Sequence, residues 1–258
     1  QKLNFLRVNM PPKIKSLWVI CIIAVFSGFA YFSFMGKVDE ARQKAEVRSK
    51  QQPRIKEKLE AKKIENKGRT FRIDPIHEIK ELIAQGKYEE AVKYAEGVAA
   101  LSPNQPKIYT WWGISLVKSG KNEEAIKKFV KSSNLDATYS KTYLYWGLVL
   151  AMDGKSEEAI KKYKKVIELD SKNSNAYAYW GAALQNLNQY DKAVEKLERA
   201  LEIHPKNTNV FRTLIDALFH LKRYGKAWEA VKQAREIQVV IPKSTLKRLA
   251  EVFPDPTG

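Results

Sequence analysis

The chain has 258 residues, 44% of them hydrophobic, enough for one sizeable packed domain with segments to spare. Its formal charge of +17 is unevenly laid down: residues 1–16 contribute +4, residues 37–71 contribute +6, and the far longer stretch 72–258 only +7. A single cysteine, Cys21, excludes a disulfide framework and a cysteine-held zinc site, and three histidines far apart in sequence (His77, His204, His220) point to no metal centre.

Residues 1–16 form a short basic segment with Lys2, Arg7, Lys13 and Lys15 and no acid. Residues 17–36 then carry no charge at all. At a rise of about 1.5 Å per residue, a helix of that length spans about 30 Å, the thickness of a bilayer core. Trp18 and Tyr31 fall toward its ends, where amphipathic rings are favoured. A cleaved signal peptide has a shorter apolar core ending in small residues. Here the run ends in Phe32-Ser33-Phe34-Met35, so the expectation is an uncleaved single transmembrane helix. Its purely basic leading flank favours an extracytoplasmic (in a bacterium, periplasmic) location for the large C-terminal domain. Six cations on the far flank (Lys37, Arg42, Lys44, Arg48, Lys50, Arg54) lean the other way. Residues 37–71 read as a basic, partly helical linker divided by Pro53, and lysines there are attracted to an anionic bilayer.

From residue 72 the chain repeats every 34 residues. Ala91, Ala125, Ala159, Ala193 and Ala227 keep that step, and so do the turn residues Gly86, Gly120, Gly154, Asn188 and Lys222. Tyr109-x-x-Trp112-Gly113, Tyr143-x-x-Trp146-Gly147 and Tyr177-x-x-Trp180-Gly181 recur without insertion. Acidic pairs (Glu89-Glu90, Glu123-Glu124, Glu157-Glu158) open second helices, where negative charge complements the helix dipole. Each unit is two amphipathic helices too small to bury their own apolar faces, so only stacking yields a continuous core.

These residues resemble the tetratricopeptide repeat. The resemblance covers residues 72–241 as five units (72–105, 106–139, 140–173, 174–207, 208–241), with 242–258 left as a capping helix and tail on which Leu246, Leu249 and Phe253 share a face. It implies an all-α, right-handed α-solenoid with a concave groove lined by the first (A) helix of each unit. Family geometry then turns Trp111, Tyr145 and Tyr179 inward, with Lys107, Thr110, Ile114, Lys141, Leu144, Leu148, Met152, Ala178, Asn186, Arg212 and Asp216 around them. That strip suits a peptide segment with apolar anchors and some acidic residues. The Asn that chaperone-binding members use to hold a terminal carboxylate is replaced by Ile114, Leu148 and Ala182, so the resemblance does not extend to that clamp.

Trp112, Trp146 and Trp180 read as core rather than as a base-stacking platform, and nucleic acid is not an expected partner. The lysine pairs Lys127-Lys128, Lys161-Lys162 and Lys164-Lys165 read as exposed second-helix faces, or as a convex basic stripe. No Gly-rich phosphate loop, His-Glu-x-x-His or nucleophile elbow occurs, so neither an enzyme nor a cofactor is expected. The expectation is a membrane-anchored protein-interaction scaffold or assembly factor that recruits or holds a subunit of a membrane complex. The alternative is a constitutive structural subunit held through its transmembrane helix, with Ser27, Gly28 and Gly36 as small contact points.

Overall fold

A computed structural model describes residues 38–43, 46 and 74–256. The chain divides into two compact units, 1–70 and 71–258. In the first, the described residues are helical; the transmembrane helix expected at 17–36 and most of the linker 37–71 lie outside the described residues. Among the described residues no helix is long and apolar enough to cross a membrane.

The second unit consists, among the described residues, of eleven helices and no strand: α1 (Pro75–Ala84), α2 (Tyr88–Leu101), α3 (Pro106–Lys118), α4 (Asn122–Leu135), α5 (Ser140–Met152), α6 (Ser156–Leu169), α7 (Ser174–Asn186), α8 (Tyr190–Ile203), α9 (Thr208–His220), α10 (Tyr224–Glu236) and α11 (Lys243–Val252). Local chemistry sets several starts. Asp74 caps α1 by accepting from the Ile76 backbone N–H at 3.0 Å, with Pro75 at the first position, and Pro106 opens α3. The Asn173 side chain accepts from the Ala176 N–H at 3.0 Å and caps α7. Glu89 and Glu90, Glu123 and Glu124, and Glu157 and Glu158 occupy the first turns of α2, α4 and α6.

Odd-numbered (A) helices pair with the even-numbered (B) helices after them. Each A helix also packs on the next A helix, from α1 on α3 through to α9 on α11; no comparable B-to-B packing occurs among the described residues.

The turn within each hairpin needs a residue in the left-handed region, with φ of 73° at Gly86, 78° at Gly120, 76° at Gly154, 57° at Asn188 and 58° at Lys222. There the chain closes helix A with paired bonds: the Gly120 N–H donates to the Val117 carbonyl at 3.0 Å and the Lys121 N–H to the Leu116 carbonyl at 2.8 Å. Lys222 makes the same closure with Phe219, and Arg223 with Leu218. A Cβ is strained in this conformation. Lys222→Gly should therefore raise stability by about 0.5–1 kcal/mol despite the looser unfolded chain; an unchanged or lower urea midpoint would refute this account of the turn.

The core runs between the two rows. Ala91, Ala125, Ala159, Ala193 and Ala227 are all 0% exposed, as are the residues one turn on: Ala95, Phe129, Tyr163, Leu197 and Val231. The larger of these side chains fill sockets left by glycines in the paired A helix. A Cβ on Gly113 would stand 2.5 Å from Phe129 Cε1, one on Gly147 2.5 Å from Tyr163 Cε1, and one on Gly181 2.6 Å from Leu197 Cγ. Close helix approach at these three points requires the missing side chain.

Tyr94 in α2 has a buried hydroxyl, and its pKa is pushed up to about 12 by burial first, then by the charges of Glu78 and Asp74. Because the folded value lies above the unfolded one, this stabilising contribution is complete below about pH 10. It is lost as the pH rises from about 10 to 12, where the unfolded chain sheds its proton first. Tyr94→Phe should flatten the fall in urea midpoint across that window; an identical slope in the two proteins would contradict the assignment.

Helix α11 closes the C-terminal end. Leu249 is buried and Leu246 packs against the same cluster, while the Trp228 indole N–H donates to the Phe253 carbonyl at 2.9 Å. Arg248 pairs with Asp216 of α9, and Arg235 reaches Asp255 at 3.1 Å. The Phe253 side chain is 42% exposed, but its ring stacks on Tyr224 at 6.4 Å.

Candidate protein-binding groove

Helices α3, α5 and α7 each place one aromatic side chain at the same register: Trp111, Tyr145 and Tyr179, all half-buried. They follow one another on three successive A helices. Lys80 Nζ of α1 and Lys141 Nζ of α5 stand 5.0 and 4.9 Å from the centroid of the Trp111 ring, where an ammonium is attracted by the ring quadrupole. Burial raises the pKa of the adjacent Tyr139 hydroxyl, and a hydrogen bond from Trp111 partly offsets this. Lys107 Nζ lies 5.8 Å from the Tyr139 ring centroid. Farther along, the Tyr145 hydroxyl is raised by burial and then by its neighbour Tyr179, whose ring lies 6.0 Å from that of Tyr163.

The other residues expected to line this face are placed variously. Lys107 and Arg212 are exposed, Met152 is 61% exposed, and Lys141, Leu144 and Leu148 are half-buried. Asn186 is exposed, and Ala178 is buried. Ile114 is only 3% exposed and lies in the core cluster against which Trp111 and Tyr145 pack. It supports the aromatic row from beneath. Thr110 is likewise buried, with its hydroxyl 2.8 Å from that of Ser132 and 2.7 Å from that of Thr142, a polar knot joining α3, α4 and α5. Asp216 is occupied by Arg248 of the closing helix. Lys80 was not among the expected lining residues, although it stands 34 residues before Ile114 and so occupies the inward register of the first unit.

On the three central A helices the charge is one-signed. Helices α3, α5 and α7 contain no acidic residue, while Lys107, Lys118 and Lys141 lie on them. The Lys141 pKa is depressed, chiefly by loss of water and then by the positive charge of Lys80. No cluster of side chains that could hold a metal ion occurs among the described residues.

The opposite side of the A helices carries a second series. Trp112 is 7% exposed, whereas Trp146 and Trp180 are only half-buried, and a B-helix lysine completes the cover of each. Lys128 Nζ stands 3.4 Å from the Trp112 centroid, Lys162 Nζ 3.5 Å from that of Trp146, and Lys196 Nζ 4.7 Å from that of Trp180. Lys128 and Lys162 are thus half-buried, as is Lys165, which pairs with Glu168, while Lys127, Lys161 and Lys164 are exposed, so the lysine pairs do not form a uniformly solvated stripe. The indoles finish the core, and the lysine stems finish the indoles.

The sequence pattern of the tetratricopeptide repeat family matches residues 174–207. The fold is the tetratricopeptide-repeat solenoid. Solved structures agree with it: Pseudomonas aeruginosa PilF superposes with a TM-score of 0.64 at 17% identity, over 71% of this chain and 84% of that one. Residues 41 to the end of MamA from Desulfovibrio magneticus RS-1 give 0.57 at 21% identity, over 63% and 92% of the two chains. MamA from strain MSR-1 gives 0.53 at 25% identity, over 64% and 92%. These likenesses concern the fold. No curated protein matches this chain. Tetratricopeptide repeats bind other proteins, and the A-helix face is the concave side of such a solenoid.

Proposed function

We propose that this protein is a membrane-anchored scaffold or assembly factor whose tetratricopeptide groove holds a segment of another protein, a subunit of a membrane complex. The observation that carries the proposal is the aromatic row Trp111, Tyr145 and Tyr179 on three successive A helices that carry no carboxylate, with Lys107 and Lys141 beside it. Aromatic side chains of this kind supply large contact area and dominate interface hot spots. Leu144 and Leu148 add aliphatic surface between them. The same reading assigns the uncharged stretch 17–36 as the anchor and places the solenoid on the extracytoplasmic side. Confinement beside a membrane partner raises effective concentration toward the millimolar range, so a groove of modest affinity suffices.

The test is affinity purification of the full-length protein in mild detergent beside Trp111/Tyr145/Tyr179→Ala, with mass spectrometry of the co-purifying proteins and circular dichroism as a folding control. One membrane-complex subunit should accompany the wild type and fall at least about a hundredfold with the triple variant, as expected from removing several hot-spot side chains. Recovery of the same proteins with both, from a folded variant, would place the contacts elsewhere on the molecule.

A further inference from the structure

Among the groove cations, Lys80 and Lys141 are set apart by three observations. Both ammonium groups stand over one indole, at 5.0 and 4.9 Å from its centroid. Neither forms an ion pair among the described residues, although eight such pairs engage other Lys and Arg side chains of the solenoid. The acids nearest Lys80 in sequence, Glu78 and Glu81, form no ion pair with it among the described residues, and α3, α5 and α7 carry no acid. Two like charges beside one indole, Lys141 half-buried and Lys80 exposed, with no counter-charge paired to them among the described residues, are unfavourable in the empty protein. They become favourable when an anion is placed beside them.

We infer that Lys80, Lys141 and the Trp111 ring form an acid-reading subsite at the α1 end of the groove, which takes the side-chain carboxylate of an Asp or Glu within the bound segment. This rests on the groove reading above and adds what the groove selects. Neighbouring A helices lie about 8–10 Å apart, and an extended chain advances about 3.3 Å per residue. The acid therefore sits about three residues from the apolar side chain that packs on Tyr145 and Leu148. Charge also decides against the chain's own linker as the occupant, because residues 37–71 carry twelve Lys/Arg against six Asp/Glu. An ammonium group acts as a point-charge donor, suited to a single side-chain carboxylate.

The experiment is selection of a displayed library of twelve-residue peptides on the full-length protein in mild detergent. The leading peptide is then synthesised with a free and with an amidated C-terminus, and its affinity is measured for wild type, Lys80→Gln/Lys141→Gln and Trp111/Tyr145/Tyr179→Ala. The expected consensus has Asp or Glu about three residues from a large apolar residue. Its affinity should drop about tenfold or more in the double Gln variant and equally when the acid is changed to its amide. The two changes together should cost no more than either alone, and amidation of the C-terminus should have no effect. Selected peptides that lack an acid, or that bind the double Gln variant as tightly, overturn the subsite while leaving the groove intact. A requirement for the free C-terminus overturns it in favour of a terminal carboxylate. Peptides indifferent to the triple Ala variant overturn the groove reading itself, and failure to enrich any peptide overturns both.

Discussion

Phe129→Ala is expected to destabilise the solenoid by about 3–5 kcal/mol, the usual loss for emptying a fully buried aromatic site. Phe129 is 0% exposed, and its ring fills the space over Gly113 that a side chain on α3 would otherwise take. The loss should fall at the upper end because the wall opposite is helix backbone. It has no side chain that could re-orient into the hole, and the socket can close only if α3 and α4 move together. For a domain of this size the melting temperature should drop by about 10 °C or more. Urea denaturation of the variant measures it directly. A loss below about 1.5 kcal/mol would mean that the helices close up, and that the spacing of this hairpin is set by something other than the ring.

Gly147→Ala probes the same joint from the other side. Alanine gains about 1 kcal/mol over glycine in a helix interior, so propensity alone predicts stabilisation. The added Cβ would stand 2.5 Å from Cε1 and 2.9 Å from Cδ1 of Tyr163, a residue that is 0% exposed and so cannot swing aside. Overpacking costs about 1–3 kcal/mol and should prevail. In a Tyr163→Ala background the obstacle is gone, and the same substitution should become neutral or favourable. The coupling between the two positions is then about 1–3 kcal/mol. Gly225 in α10 supplies the control, because a Cβ there would meet no atom within 4 Å: Gly225→Ala should not destabilise. Additive effects at 147 and 163 would show that the socket is looser than its geometry.

Much of this architecture was legible in the sequence because one physical requirement recurs at one spacing. The hairpin turn needs a left-handed residue, and Gly86, Gly120 and Gly154 supply it; Asn188 and Lys222 could be assigned the same role only because the spacing required it. Ala91 and its four counterparts were legible because nothing larger fits between the paired helices, and all five are fully buried. The inward-facing set was less reliable. Repeat register names a direction from the helix axis, but burial depends on what the next helix brings. At Ile114 and Thr110 the next unit brings α5, whose Tyr145 and Thr142 cover them. Lys80 went unrecognised for the opposite reason: its unit lacks the Trp-Gly pair that marks the central repeats, so its register carried little weight. The cover that Lys128 and Lys162 give to the indoles was also hidden, since a lysine's stem and its charged head obey different preferences.

Each B helix from α2 to α8 packs on its own A helix and on the next one, while no comparable B-to-B packing occurs among the described residues, so successive hairpins are joined through their A helices. A small change in the tilt of each hairpin shifts a B helix against the next A helix but breaks no B-to-B packing among the described residues. Summed over successive repeats, such tilts change the curvature of the whole rod. A ligand clasped on the A helices bridges several hairpins and fixes their relative tilt. Its arrival would thus be transmitted as a change of pitch to the far side of the molecule, where a second protein could sense occupancy without touching the occupant.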